Sequence, residues 1–160
     1  MKRFFIVGAS SGIGLAIADH LCGLDHKVWA SAPDRISTEE LRHRLPKAKV
    51  LQLDLREESQ IEEACLAIQK EGTLDGLICN AGIAMGGPMA HLDLTMLKTL
   101  FEINLFGHLA IIQKLIPILE QGQDPRLIWT GSAAGYFVRP LLGGYAASKF
   151  AVSACIDALR

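Results

Sequence analysis

A doubly wound α/β domain, in which helices cover both faces of a parallel sheet, is the fold class this sequence predicts. Three observations carry that prediction. Short runs rich in Val, Ile, Leu and Phe lack the polar alternation of a half-solvated sheet. They alternate with longer stretches whose apolar residues recur at helical spacing, and a glycine-rich loop follows the first run directly. The chain has 160 residues, half of them apolar, which is material for one core and one domain spanning 1–160.

In chain order, RFFIV at 3–7, KVWAS at 27–31, KVLQL at 49–53, DGLIC at 75–79 and RLIWT at 126–130 read as five strands. Between them, spacings such as Ile61, Ala64, Cys65 and Ile68 read as crossover helices joining parallel strands. The segment 93–120 is apolar on more than one side, with Phe101, Leu105, Leu109, Ile112 and Ile116 on one stripe and Phe106, Ile111, Leu115 and Ile118 on others. A helix of that kind needs cover on two sides. One side can face the sheet; for the other, a second subunit and core packing around a buried kink at Pro117 are both open readings.

Composition excludes several function classes. Lys and Arg total 16 against 17 for Asp and Glu, so no charge excess exists to hold nucleic acid or an acidic membrane. The basic run Arg42, His43, Arg44, Lys47, Lys49 reads as solvated surface. Cys22, Cys65, Cys79 and Cys155 lie in apolar surroundings without a CxxC pair, which points to reduced thiols and a cytoplasmic protein. No His or Cys spacing supplies a zinc ligand set, and no metal site is expected. The start imitates a secretory signal, but Gly8, Gly12 and Gly14 interrupt the apolar segment; no stretch reads as a membrane span.

The loop GASSGIG (8–14) leads from the first strand into a helical pattern. Gly8 permits a tight turn, Gly12 lets backbone approach a pyrophosphate, and Gly14 lets the helix pack closely on the strand. The helix start offers free N–H groups to phosphate, with the Ser10 and Ser11 hydroxyls as further donors. The same residues match G-x-S-x-G, so Ser10 as a hydrolase nucleophile is an alternative; against it, the loop sits on the first strand and the last histidine, His108, falls inside a helix.

Asp54, in LQLDL, reads either as an acceptor for an adenine amino group at the sheet edge or as a helix N-cap. Asn80-Ala81-Gly82 ends the fourth strand with a small turn that suits a ligand lying across that edge, or is a plain turn. Ser132 follows the fifth strand, and Tyr145 precedes Lys149 by one helical turn, so the pair shares a helix face. A neighbouring cation favours an ionised phenol, which suits a tyrosine to general acid/base work, and a serine hydroxyl can hold a carbonyl or alkoxide oxygen. Tyr136, Phe137 and Leu142 read as pocket lining or as core.

GASSGIG, LDL, NAG, the Asn104 of EINLFG, GSAAG and YAASK stand in the order and spacing of the short-chain dehydrogenase/reductase family, which the whole chain resembles, with a weaker likeness to retinol and steroid dehydrogenases. The resemblance implies a Rossmann-like sheet of strand order 3-2-1-4-5 and hydride transfer between a nicotinamide and an alcohol or carbonyl substrate of lipophilic character. It assigns Tyr145 as proton donor or acceptor, Ser132 as polariser of the substrate oxygen, Lys149 as partner of the nicotinamide ribose, and Asn104 as anchor of a relay water. Gly8, Ser10, Ser11, Gly12, Ile13, Gly14, Asp54, Leu55, Asn80, Ala81 and Gly82 would bind the cofactor with Tyr145 and Lys149. Val7 departs from the family's threonine. At the end of the second strand Ala32 replaces the acidic residue of NAD users, and Pro33 the arginine of NADP users; Ser11 and Arg35 can contact a 2′-phosphate that Asp34 would repel, so NADP(H) is expected over NAD(H). Members of the family continue past the point where this chain ends, so a piece of a longer, homo-oligomeric enzyme is expected. A nucleotide-binding or subunit-pairing module without turnover is the alternative.

Overall fold

The structure, a computed structural model, describes residues 1–159. Strands β1 (Arg3–Val7), β2 (Lys27–Ala32), β3 (Lys49–Gln52), β4 (Gly76–Cys79) and β5 (Arg126–Trp129) form one parallel sheet of order β3-β2-β1-β4-β5. Helices α1 (Gly12–Gly23), α2 (Arg35–Arg44) and α3 (Glu58–Gln69) are the first crossovers. After β4, α4 (Leu94–Phe101), a π-helical turn (Glu102–Phe106) and α5 (Gly107–Leu119) run on as one long helix, and α6 (Gly143–Ala158) follows β5. The expected fold class and strand order are those observed.

Alternate strand residues supply two cores, which is why the strands carry no polar alternation. Phe5, Val7, Trp29, Leu77 and Cys79 meet α3 and α5 through Ile61, Ile68, Ile111 and Leu115. Ile6, Val28, Ala30 and Ile78 point the other way, to Ala18 and Cys22 of α1 and Leu41 of α2. All four cysteines are free thiols; burial pushes Cys65 up to about 12 and Cys79 higher still, so both behave as small apolar filler.

The long helix differs from expectation in two ways. Pro117 lies inside α5 but is exposed, so the buried kink is not found; it occupies the outer face near the end of the helix. The run Leu94–Leu119 is also long and apolar enough, by length and composition, to cross a membrane. In this fold Leu105, Ile111, Ile112, Leu115 and Leu119 are instead spent on the core with Phe5 and Leu77, while Phe106 stays 51% exposed on another face.

His108 enters this core with no exposed surface. Its Nε2 lies 2.8 Å from Ala81 O and must carry the proton, because a carbonyl only accepts. Among the described residues Nδ1 has no hydrogen-bond partner, and neither does the indole N–H of Trp129, whose ring centroid is 5.4 Å away. Burial lowers the pKa of His108 to about 4. A depressed pKa in the folded state means that the unfolded chain binds the proton first on acidification. Stability is therefore full above about pH 6.5 and is lost progressively toward pH 4, by up to roughly 3 kcal/mol from this group. Urea unfolding of wild type and His108→Gln between pH 7.5 and 4.5 checks this: the midpoint of the wild type should fall more steeply than that of the variant.

Candidate active site

The carboxyl ends of β1 and β4 carry the site. Gly8 leaves β1 at φ +83°, and an added Cβ would sit 2.5 Å from Ala81 Cα, so glycine is required both for the turn and for the approach of the turn after β4. Asn80 N and Ala81 N both donate to Val7 O, at 3.0 and 2.8 Å, and Asn80 Nδ2 donates to Gly8 O at 2.8 Å. Ser31 ties the loop to β2, accepting from Gly8 N at 3.1 Å and, through its carbonyl, from Ala9 N at 2.8 Å. At Gly14 a methyl group would collide with Gly8 O and lie 2.6 Å from Asn80 Nδ2, so α1 is seated directly on the loop. Ser11 is the N-cap of α1, yet its hydroxyl makes no capping bond, leaving the first-turn N–H groups open toward an anion.

A cleft of about 220 Å³ opens over this seam. Gly8, Ser10, Ser11, Ala32, Pro33, Asp54, Leu55, Asn80, Ala81 and Gly82 line it. Gly12, Ile13, Asn80 and Gly82 continue into an adjoining opening that reaches Thr130, Tyr145 and Lys149. The residues expected for cofactor binding thus lie along one edge of the sheet, with Gly14 beneath them.

Two acidic residues near the cleft are held by their own neighbours, and of the readings made for them only the N-cap role of Asp54 is overturned. Asp54 caps no helix: α3 begins after Glu57, and the carboxylate instead accepts from Arg56 N at 3.0 Å and Nε at 2.9 Å, with Nη2 at 2.5 Å from its other oxygen. The Arg56 guanidinium holds this carboxyl below the usual range. Asp34, expected to face a 2′-phosphate, is the N-cap of α2. It accepts from Ser37 N at 2.9 Å and from Ser37 Oγ at 2.8 Å, and these bonds lower its pKa.

At the other end, Tyr145 and Lys149 lie one turn apart on α6, with Lys149 Nζ 5.9 Å from the centroid of the tyrosine ring. Lys149 is only 4% exposed; Nζ donates to Thr130 O at 3.0 Å, and desolvation lowers its pKa. Ser132 begins a 3₁₀ turn, Ala133–Gly135, where its Oγ accepts from Ala134 N at 3.1 Å and keeps its own proton to donate. That turn packs on α6 so closely that a Cβ on Gly135 would lie 2.8 Å from both Lys149 O and Ser153 Oγ.

Asn104 sits in the π turn, a rare local geometry that concentrates at functional sites. Its side chain is engaged at both ends: Oδ1 accepts from Ile83 N at 2.8 Å, and Nδ2 donates to Ile83 O at 2.9 Å and to Ser148 Oγ at 3.0 Å. Ser148 Oγ in turn donates to Tyr145 O at 2.8 Å. Asn104 is therefore a brace that fixes the first turn of α6, and its carboxamide has its protons spent on protein partners. Ser148 and Thr130 carry this geometry without having stood out in the sequence; the only signal is that Ser148 lies three residues beyond Tyr145. The Ser10 nucleophile alternative finds no base in His108, which is buried and bonded to Ala81 O.

A family model described as short chain dehydrogenase matches residues 2–160. The chain is 31% identical to the NADPH-dependent 3-dehydrocapnine reductase of Ornithobacterium rhinotracheale, over 100% of this chain and 59% of the relative. It is 30% identical to human 17-beta-hydroxysteroid dehydrogenase type 1, over 96% of this chain and 50% of the relative. It thus spans little more than half the length of these curated relatives. An alcohol dehydrogenase from Thermococcus sibiricus, solved with 5-hydroxy-NADP, superposes with a TM-score of 0.91 at 25% identity, covering 99% of this chain and 70% of that one.

The glycine seam gives a direct test. Gly14→Ala should lower stability by about 2 kcal/mol or more, because the added methyl would meet the Gly8 carbonyl on one side and the hydrogen-bonded Asn80 amide on the other. Gly23→Ala, in the same helix with nothing within 4 Å, should change it by less than about 0.5 kcal/mol. Urea unfolding of the two variants reads the difference.

Proposed function

The chain belongs to the short-chain dehydrogenase family, and from that premise we propose that it is an NADP(H)-preferring oxidoreductase acting on apolar alcohol or carbonyl substrates, with Tyr145 as its general acid/base. The observation that carries the reading is Lys149, a nearly buried cation held on Thr130 O beside the Tyr145 ring, where the cleft from the glycine loop ends.

The residues present fit a nicotinamide dinucleotide. The uncapped start of α1 and the Ser10 and Ser11 hydroxyls offer donors for the phosphates. Asp54 and Leu55 border the adenine end, and two of the three Lys149 N–H groups are left for the ribose beyond the bond to Thr130 O. Bound there, the nicotinamide supplies or accepts the hydride at the substrate carbon. In the reducing direction Tyr145 donates its phenolic proton to the substrate oxygen, and Ser132 donates a hydrogen bond to that same oxygen as negative charge develops on it. The Lys149 charge offsets the charge left on the phenol. Asn104, through Ser148, keeps the Tyr145 backbone in place.

Two observations support the finer parts of the reading. Ala32 and Pro33 place no carboxylate at the end of β2 and Ser11 lines the cleft, both of which suit a 2′-phosphate. The names of the Ornithobacterium and Thermococcus proteins, with NADPH and 5-hydroxy-NADP, point the same way. In the loops before α6 and after β4, Phe137, Leu141 and Met89 are each more than half exposed, and Gly87 N donates to Leu141 O at 2.7 Å, joining the two loops into an apolar rim. Such a rim suits a lipophilic substrate, as does the hydroxysteroid in the human relative's name.

Fluorescence titration with NADPH and NADH, followed by reduction assays on small and bulky apolar ketones, tests the proposal. NADPH should bind about tenfold more tightly than NADH, the worth of roughly one charge-assisted hydrogen bond. Equal affinities would remove the NADP preference. Tyr145→Phe should bind NADPH like wild type and lose at least about 100-fold in kcat. Dinucleotide binding without turnover in wild type would favour a non-catalytic nucleotide-binding module instead.

A further inference from the structure

We infer that Thr130 is a positioning residue that couples the cofactor loop to the acid/base end of the site; this rests on the dinucleotide oxidoreductase reading. Thr130 stands just past β5, fixed by its N–H donating to Cys79 O at 2.9 Å. Its two oxygens serve opposite ends of the cleft. The hydroxyl donates to Asn80 Oδ1 at 3.0 Å, and Asn80 Nδ2 donates onward to Gly8 O at 2.8 Å. The carbonyl accepts from Lys149 Nζ at 3.0 Å.

The donor directions follow from chemistry alone. Gly8 O can only accept, so the NH₂ end of the Asn80 amide must face it, which turns the amide oxygen toward Thr130 and makes the threonine hydroxyl the donor. Without that hydroxyl, a half-buried amide oxygen loses its donor and nothing holds the amide in the one rotation that supports Gly8. The glycine loop, whose shape depends on the bond to Gly8 O, then loosens where it must hold the pyrophosphate. The grip on Lys149 is different in kind: it comes from the backbone carbonyl, which a side-chain substitution leaves in place.

That division predicts a kinetic split which a generally structural residue would not produce. In the chain with NADPH and a ketone substrate, Thr130→Val should raise the NADPH Kd and the cofactor KM about tenfold. Its kcat should fall by a smaller factor, and the pH midpoint of kcat should not move. Thr130→Ser, which restores the hydroxyl, should return the NADPH Kd to within about twofold of wild type. The inference is overturned if Thr130→Val binds NADPH as wild type does, if kcat falls as far as KM rises, or if the pH midpoint shifts. Should the valine variant fail to fold, Asn80→Asp decides the matter: its carboxylate can take the Thr130 proton but has none to give Gly8 O, so normal NADPH affinity in that variant also overturns the inference. Wild type that binds neither NADPH nor NADH overturns the oxidoreductase reading and this inference with it.

Discussion

Everything at this site depends on how closely the loop after β1 meets the turn after β4. Parallel strands that are neighbours in the sheet but far apart in sequence bring Gly8 against Ala81, and only a residue without a Cβ, at φ +83°, allows that contact. Once it forms, Val7 O takes two N–H donors from the turn, and α1 is seated on the loop through Gly14. The crossovers from β1 and from β4 leave in opposite directions, so the same seam becomes a cleft above the carboxyl ends of the strands, where doubly wound sheets place ligands.

The second half of the site is built by a different device. A π turn interrupts the long helix and points Asn104 inward, where its carboxamide bridges the Ile83 backbone and Ser148. Ser148 bonds back to Tyr145 O, so the beginning of α6 is braced from below while the 3₁₀ turn after Ser132 presses on it through Gly135. Burying Lys149 in this arrangement disfavours its charged form, and the Thr130 carbonyl offsets part of that cost. A desolvated cation beside a phenol, in a cleft, marks a functional site more than a stabilising one.

The polar residues around the cleft divide into those left open and those already engaged. Ser11 and two of the Lys149 N–H groups belong to the first kind. Asp34 is held by Ser37, Asp54 by Arg56 and Asn104 by Ile83 and Ser148, so each meets any ligand with part of its hydrogen-bonding capacity used. This changes what these residues can contribute. Asn104 acts as a brace, and the charge of Asp34 is stabilised within its own helix.

Strands, crossover helices, the glycine loop and the Tyr145–Lys149 pair were legible in the sequence because each is local. Apolar runs, helical spacing and a four-residue offset are properties of neighbouring residues, and the strand order was anticipated only through the family resemblance that the motifs carry. The partners of Asn104, Asn80 and Thr130 were not legible, since they lie 19 to 72 positions away and meet only when the sheet has closed. Exposure of Pro117 and the salt link of Asp54 to Arg56 were likewise settled by which face the packed helix and loop present. Side-chain periodicity determines which residues are buried; tertiary structure decides which donor faces which acceptor, because a hydrogen bond depends on distance and direction that no local spacing encodes.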